Sequence, residues 1–424
     1  MHREVHIRII VRWSPALRQY KTADDVLKSP SRPFGVGIIS PMIYMDYAAT
    51  TPVDKRVLDA MLPYFNDSFG NPSSVHRYGQ KAEAAVDAAR ETVSKILNCQ
   101  PEEVIFTSCG SESDNLALRG TALAMRQKKN AGWLITSRAE HPAVSKTAQQ
   151  LEEVFGFNVE WLDLDHHGMV TPEAVEHAIC GETALVSVMY ANNEIGTINP
   201  IKEIAEICRK QGIPFHTDAV QAAAYLAIDV QSLGVDLLSL GSHKFYGPKG
   251  VGALYVRKGT ELVPSLTGGG QELGLRAGTQ NVPYIVGFAE ALRLTADERE
   301  QRSEHVRPLR DRIIGSILEE IPDSRLTGDP VNRLPQHASF VFKDVDGNLL
   351  LTLLDAAGFA CSSGSACKTG NPEPSDVMKA IGLSREWGLG SLRITLGVNS
   401  TPSDVDALIK VLPSLVEKAR VIRM

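Results

Sequence analysis

The residues able to do chemistry fall where apolar, β-branched runs end. After VIFT (104–107) comes Ser108-Cys109-Gly110-Ser111-Glu112-Ser113-Asp114-Asn115, which opens a helical pattern. Small residues at a helix start leave backbone N–H groups free for an anion, here at Gly110 and Ser111, although glycine and serine also serve simply as caps. After WLIT (133–136) comes His141, open to three roles: helix-start contact, flat aromatic plate, or acid/base. After ALVSVMY (184–190) come the adjacent amides Asn192 and Asn193, which suit a turn as well as a ligand. After PFHT (214–217) come Asp218 and Gln221; a carboxylate ending an apolar strand is costly unless paired or hydrogen-bonded. After LLSL (237–240) come Gly241, Ser242, His243 and Lys244. A lysine so close to a buried strand loses ammonium character and gains amine reactivity, whereas a lysine taken alone would read as a turn residue.

The C-terminal third adds a cysteine and an arginine. The run FACSSGSACKTGNPEP (359–374) has a loop composition. Lys368 beside Cys367 favours the thiolate, while Cys361 follows an apolar stretch and is expected to be buried. Arg393, in SLRIT (391–395), suits bidentate binding of a carboxylate; a surface ion pair is the ordinary alternative.

These parts share one economical explanation. Pyridoxal 5′-phosphate needs a lysine, an anion at its pyridine nitrogen, a phosphate cradle, a hydrogen bond to its ring hydroxyl and a flat partner. Lys244, Asp218, Gly110 with Ser111, Gln221 or Asn193, and His141 can supply them in turn.

Such residues need a scaffold that gathers strand ends. Helical patterns at 54–65, 75–97, 112–127, 142–155, 172–179 and 200–211 alternate with strands at 104–107, 133–136, 158–162, 184–190, 214–218, 237–240 and 252–256. A long helix near 281–321 leads to strands near 338–343 and 391–396 and a last helix near 402–417. The pattern predicts an α/β fold with a mixed, mostly parallel sheet, in which ligands bind beyond the carboxyl ends of strands. We expect a large domain at 54–300 and a smaller one from 42–53 and 301–424. Residues 1–41 are expected to be a dispensable extension or the product of a misplaced start codon, with a possible strand at His2–Trp13.

Composition removes other classes. Of 424 residues, 43% are hydrophobic and 22% charged, and the net charge is −6. Disorder and coiled coil are excluded for the chain as a whole, a broad nucleic-acid footprint is not expected, and no apolar run reaches the ~20 residues of a membrane helix. Six cysteines are too few for a disulfide scaffold of this length, and no paired CxxC or HExxH motif points to a metal.

The chain resembles the cysteine desulfurases of the nitrogen-fixation and iron–sulfur-cluster type, which have the class V aminotransferase fold. The resemblance runs from Ile43 to Leu415 and rests on YMDYAATTP, FGNPSSVHRYG, FTSCGSESDN, NNEIG, DAVQ, SHKFYGPKG, GGGQELGLRAGT and SSGSACKTGNPEPS. It implies a fold-type I pyridoxal-phosphate homodimer with active sites near the subunit interface. Lys244 would carry the cofactor, His141 would stack on its ring, Asp218 would meet the pyridine nitrogen and Gln221 the ring hydroxyl. Asn193 would position cofactor and substrate, and Arg393 would hold the substrate carboxylate. Gly110, Ser111, Ser242 and His243 would bind phosphate, with Thr279 reaching the neighbouring subunit's phosphate. Cys367 would accept sulfur from L-cysteine as a persulfide, leaving L-alanine, for delivery to an acceptor such as an iron–sulfur scaffold. Transient ligation of a cluster by Cys367 is the sole metal contact expected.

The chain departs from the family pattern in places. Cys109-Gly110-Ser111 replaces Gly-Ala-Thr, Gly241 stands where serine is frequent, and the end at Met424 favours a nitrogen-fixation-like or specialised member over a housekeeping one. A selenocysteine lyase, or another enzyme of this fold, is the alternative. Cys367 argues against a plain aminotransferase, which needs no such nucleophile. A non-catalytic partner is disfavoured by the intact Lys244, Asp218, His141 and Cys367. The expected location is the cytoplasm, or an organellar matrix in a eukaryotic source.

Overall fold

Apolar runs with no polar alternation require a sheet covered on both faces, and the computed structural model of the chain contains one. It describes residues 42–363 and 373–423. The 1–41 extension with its expected strand lies outside the described residues, and so does Cys367.

Among the described residues twelve strands follow in chain order. The first eight are β1 (Ile43–Tyr44), β2 (Val104–Thr107), β3 (Trp133–Ser137), β4 (Asn158–Leu162), β5 (Thr183–Ser187), β6 (Phe215–Asp218), β7 (Leu237–Gly241) and β8 (Gly252–Val256). The rest are β9 (Ser324–Leu326), β10 (His337–Phe342), β11 (Phe359–Ala360) and β12 (Ser391–Thr395). A seven-stranded sheet has the order β2-β8-β7-β6-β5-β3-β4. Its pairings are parallel except those of β8, which runs antiparallel to both β2 and β7. Side chains of the sheet alternate between two cores: Val104, Phe106, Ala253 and Tyr255 join one, while Ile105 and Leu254 join the other.

The long helices are α1 (Arg77–Leu97), α2 (Gly110–Lys129), α3 (Pro142–Glu153), α4 (Ile201–Gln211), α5 (Val282–Glu320), α6 (Gly347–Ala356) and α7 (Pro402–Arg423). Leu116 and Leu118 of α2 pack on one face of the sheet, and Val86 of α1, Ile204 of α4 and Phe288 of α5 belong to the core on the other. A second, antiparallel sheet has the order β12-β10-β9, and β1 pairs with β11 in parallel. Ile43–Met424 forms one compact unit.

Helix α6 and strands β9 and β11 were not among the expected elements, and three expected elements differ in ways that bear on packing or the site. The helix at 54–65 is two, Lys55–Met61 and Pro63–Asn66, because Pro63 has no N–H with which to continue the first. The strand expected to reach Tyr190 ends as β5 at Ser187, although the Val188 and Tyr190 N–H groups still donate to the His216 and Asp218 carbonyls. Helix α2 begins at Gly110 rather than at residue 112, and that earlier start creates part of the site.

Candidate active site

The carboxyl ends of β5, β6 and β7 and the start of α2 converge on a cavity of about 230 Å³. Among the expected residues, Gly110, Ser111, His141, Asn193, Asp218, Gln221, His243, Lys244 and Arg393 line it. Two lie elsewhere. Ser242 is fully buried outside the lining, and its hydroxyl would come within 1.9 Å of a Cβ placed on Gly247. Thr279 is exposed and does not line the cavity.

Lys244 ends a short turn after β7. Its Nζ donates to the carbonyls of Ala48 at 2.6 Å and Ala49 at 2.9 Å. Burial, followed by the Arg393 charge, pushes its ammonium from 10.5 down to about 8, against the pull of Asp218 and Asp46. Only the neutral amine is a nucleophile, and that form gains population as pH rises through the folded-state value. Covalent attachment of added pyridoxal 5′-phosphate to cofactor-free protein, followed by visible absorbance, should therefore accelerate with a midpoint near 8. A midpoint at the ordinary lysine value would contradict this environment.

Asp218 ends β6, and its Oδ1 accepts from the Val220 N–H at 2.9 Å. Burial raises its pKa, while His141 and Lys244 oppose the rise. His141 caps α3: its Nδ1 accepts from the Ala143 N–H at 3.1 Å. The ring hydrogen then belongs on Nε2, and burial lowers the imidazole pKa, so the ring stands neutral beside the cavity. Gln221 donates through Nε2 to the Ala48 carbonyl at 2.8 Å. His243 Nδ1 lies 3.2 Å from the Thr50 hydroxyl, and burial holds its imidazole down at about 4.

Arg393 projects from β12 and is 6% exposed. Its Nη2 contacts Asp46 Oδ1 at 2.7 Å, its Nη1 donates to the Asn193 carbonyl at 2.8 Å, and its Nε has no hydrogen-bond partner among the described residues. A guanidinium so desolvated beside a cavity is suited to an entering carboxylate.

These residues fit a pyridoxal phosphate. A Cβ on Gly110 would stand 2.6 Å from the Val220 methyl Cγ2, so glycine is what lets the α2 backbone close on the cavity wall. The N–H groups of that first turn have no acceptor within the helix and face an anion favourably. Asp218 supplies a buried carboxyl group to the cavity that this cradle and Lys244 also line.

Sequence reasoning missed two acids. Asp46 pairs with Arg393, yet the two are 347 residues apart. Asp114 lines the cavity and is 1% exposed, and its Oδ1, 3.7 Å from His216 Nε2, has no hydrogen-bond partner among the described residues. Burial, followed by the Asp218 charge, pushes its carboxyl well above the usual range. Its spacing of four from Gly110 on one helix face was the available signal. Ser239, one of the serines near the lysine, is occupied elsewhere: its hydroxyl lies 3.0 Å from His216 Nε2.

Fold and cavity together define a pyridoxal-phosphate enzyme of fold type I. Residues 43–408 match the Aminotransferase class-V family, and the chain belongs to it. It is 47% identical over 380 residues to the cysteine desulfurase IscS of Clostridium botulinum (strain Kyoto / Type A2), covering 89% of this chain and 95% of that one. Identity to the cysteine desulfurase IscS of Methanosarcina thermophila is 48% over 378 residues, 89% of this chain and 93% of the other. Among solved structures, a NifS-like protein superposes with a TM-score of 0.82 at 36% identity, covering 89% of this chain and all (100%) of that one. A structure of SspA in complex with cysteine gives a TM-score of 0.73 at 40% identity over 85% of this chain and 100% of the other. Enzymes of the class V family that act as cysteine desulfurases depend on pyridoxal 5′-phosphate. Among the described residues no helix is long and apolar enough to cross a membrane.

Proposed function

We propose that this chain is a pyridoxal-phosphate-dependent cysteine desulfurase, which converts L-cysteine and a protein thiol into L-alanine and a protein persulfide. The observation that carries the proposal is the meeting of Lys244, Asp218 and Arg393 in one cavity, in a chain nearly half identical to named cysteine desulfurases. When bound, the cofactor supplies an electron sink for the pair left at the substrate Cα.

The chain's own residues do the rest. Arg393 binds the substrate carboxylate and thereby aims the Cα–H bond. Lys244 Nζ takes the Cα proton, a general-base role suited to an amine whose pKa burial has lowered to about 8. Asp218 holds negative charge at the pyridine nitrogen, His141 stacks its neutral ring, and Gln221 and Asn193 donate from the sides. Gly110, Ser111 and His243 hold the phosphate, Thr279 reaches the phosphate of the neighbouring subunit, and Ser242 lies outside this set. The Cys367 thiolate attacks the substrate sulfur: one S–S bond forms, the Cβ–S bond breaks, one proton is added at Cβ and Lys244 returns the other to Cα, which completes L-alanine. Sulfur then leaves for an acceptor protein such as an iron–sulfur scaffold. The enzyme works as a homodimer in the cytoplasm, with the cofactor held by the 54–300 part and the cysteine loop by the 42–53 and 301–424 part.

The test is product analysis. Purified holoenzyme given L-cysteine and a thiol reductant should release L-alanine and sulfide in equal amounts. Release from L-selenocysteine with none from L-cysteine would make it a selenocysteine lyase, and amino transfer to a keto acid would make it an aminotransferase.

A further inference from the structure

Behind the Arg393 pocket lies a histidine with no assigned role. His337 opens β10 and is fully buried, and across the sheet its register partner is Thr395, two residues beyond Arg393. Its Nε2 lies 3.2 Å from the Asn193 carbonyl oxygen, the atom that also accepts from Arg393 Nη1. A carbonyl can only accept, so the ring must carry hydrogen on Nε2. Nδ1 has no partner among the described residues, which suits a nitrogen without hydrogen. The surroundings agree: burial and the nearby Arg333, Arg393 and Arg310 charges keep the imidazole well below its ordinary pKa, hence neutral.

The turn that His337 touches is built around its ring. Gly196 has φ +81°, and a Cβ there would stand 2.8 Å from the imidazole Cγ. Glycine is therefore required at this position by conformation and by space alike. One turn residue earlier, the Ile195 carbonyl accepts from Arg333 Nη2 at 2.8 Å, and that nitrogen also reaches the Thr327 carbonyl at 2.7 Å. Two buried donors thus hold the carbonyls on either side of Glu194, and only one of those carbonyls touches Arg393.

We propose that His337 is a positioning residue for the substrate carboxylate: its Nε2–H fixes the Asn193 carbonyl, and that carbonyl fixes the Arg393 guanidinium. The inference rests on the proposed role of Arg393. With the imidazole donor gone, the Asn193 carbonyl keeps Arg393 as its single donor and is held less firmly, so one of the two acceptors that orient the guanidinium is loosened. Carboxylate binding is shared by ground state and transition state, so the loss falls on KM rather than kcat.

Three holoenzyme variants test this. His337→Leu removes the donor at similar bulk, His337→Gln offers an amide N–H near the Nε2 position, and Arg393→Lys removes the fork itself. Steady-state kinetics with L-cysteine is paired with titration of the visible cofactor band by L-alanine, which reads binding without turnover. His337→Leu should raise both KM and the L-alanine Kd about five- to tenfold, the loss of about one hydrogen bond, with kcat held within about twofold. His337→Gln should restore most of the binding, and Arg393→Lys should weaken it further than His337→Leu does. Equal losses in the Leu and Gln variants, or a fall in kcat with KM unchanged, would reduce His337 to packing and overturn the proposal. Normal binding in His337→Leu with weak binding in Arg393→Lys would also overturn it while leaving the Arg393 role intact. Normal binding in Arg393→Lys would remove that role and the inference with it. If the Leu variant fails to fold, His337→Asn, whose shorter amide cannot span to the carbonyl, carries the same expectation.

Discussion

Lys244→Ala should lower alanine release from L-cysteine by about 10⁴-fold or more, because it removes the covalent attachment point and the Cα base together. The loss should not come from unfolding. Nζ makes two hydrogen bonds, to the Ala48 and Ala49 carbonyls, and the Ala48 carbonyl keeps the Gln221 amide as a donor. Removing a buried ammonium also relieves the desolvation that pushes its pKa down. Thermal melting of the cofactor-free variant should therefore match the parent within a few degrees. Borohydride treatment followed by mass spectrometry should find the cofactor bonded to the parent and absent from the variant. Covalent trapping in Lys244→Ala would assign the attachment to another residue.

Cys367→Ser should reduce alanine release in the presence of a thiol reductant by about 10²-fold or more while the visible cofactor band persists. A serine hydroxyl has the shape of the thiol but stays protonated at neutral pH and does not accept sulfur. Because Cys367 lies outside the described residues, the expectation rests on sequence chemistry: the neighbouring lysine and the SSGSAC run. The cysteine just before that run behaves differently. Cys361 is partly buried against the core, and burial pushes its thiol up to about 12, so Cys361→Ser should retain turnover. Loss in both variants, or in neither, would sink the assignment of the nucleophile. Labelled sulfur recovered as a persulfide on a peptide containing residue 367 would settle which thiol is loaded.

How far the sequence foretold this site depended on how local each feature is. Strands buried on both faces write themselves as continuous apolar runs, so ends read at Thr107, Asp218 and Leu240 came within a residue of those observed, and with them Gly110, Asp218 and Lys244 were legible. The chemistry of each end was legible too, since few residue types suit a phosphate or a ring nitrogen. Side-chain direction was not. Ser242 lies two residues from Lys244, yet its hydroxyl ends near Gly247 and away from the cavity. Asp46 and His337 gain their meaning from partners 347 and 144 residues away, and no local periodicity records such contacts. The split at Pro63 could have been read from the missing N–H alone.

The pairing of the first described strand with the last third of the chain carries a consequence for biosynthesis. Besides the Asp46–Arg393 ion pair, the Ala48 N–H donates to Thr395 Oγ1 at 2.9 Å, and the same Ala48 carbonyl receives Lys244 and Gln221. All seven strands of the main sheet have been synthesised by residue 256, but the segment that closes over the lysine, bonded at Thr51 and Asp54 to His243 and Tyr246, is fastened at Asp46 and Ala48 by residues 393–395. Contacts of such sequence separation form late, because loop-closure entropy must be overcome before they contribute. A ribosome-bound chain that stops short of β12 thus has its sheet strands but a cofactor chamber fastened on one side alone. Cofactor capture during translation should begin only once Thr395 has cleared the exit tunnel, which makes the visible band of this enzyme a timer for completion of its own synthesis.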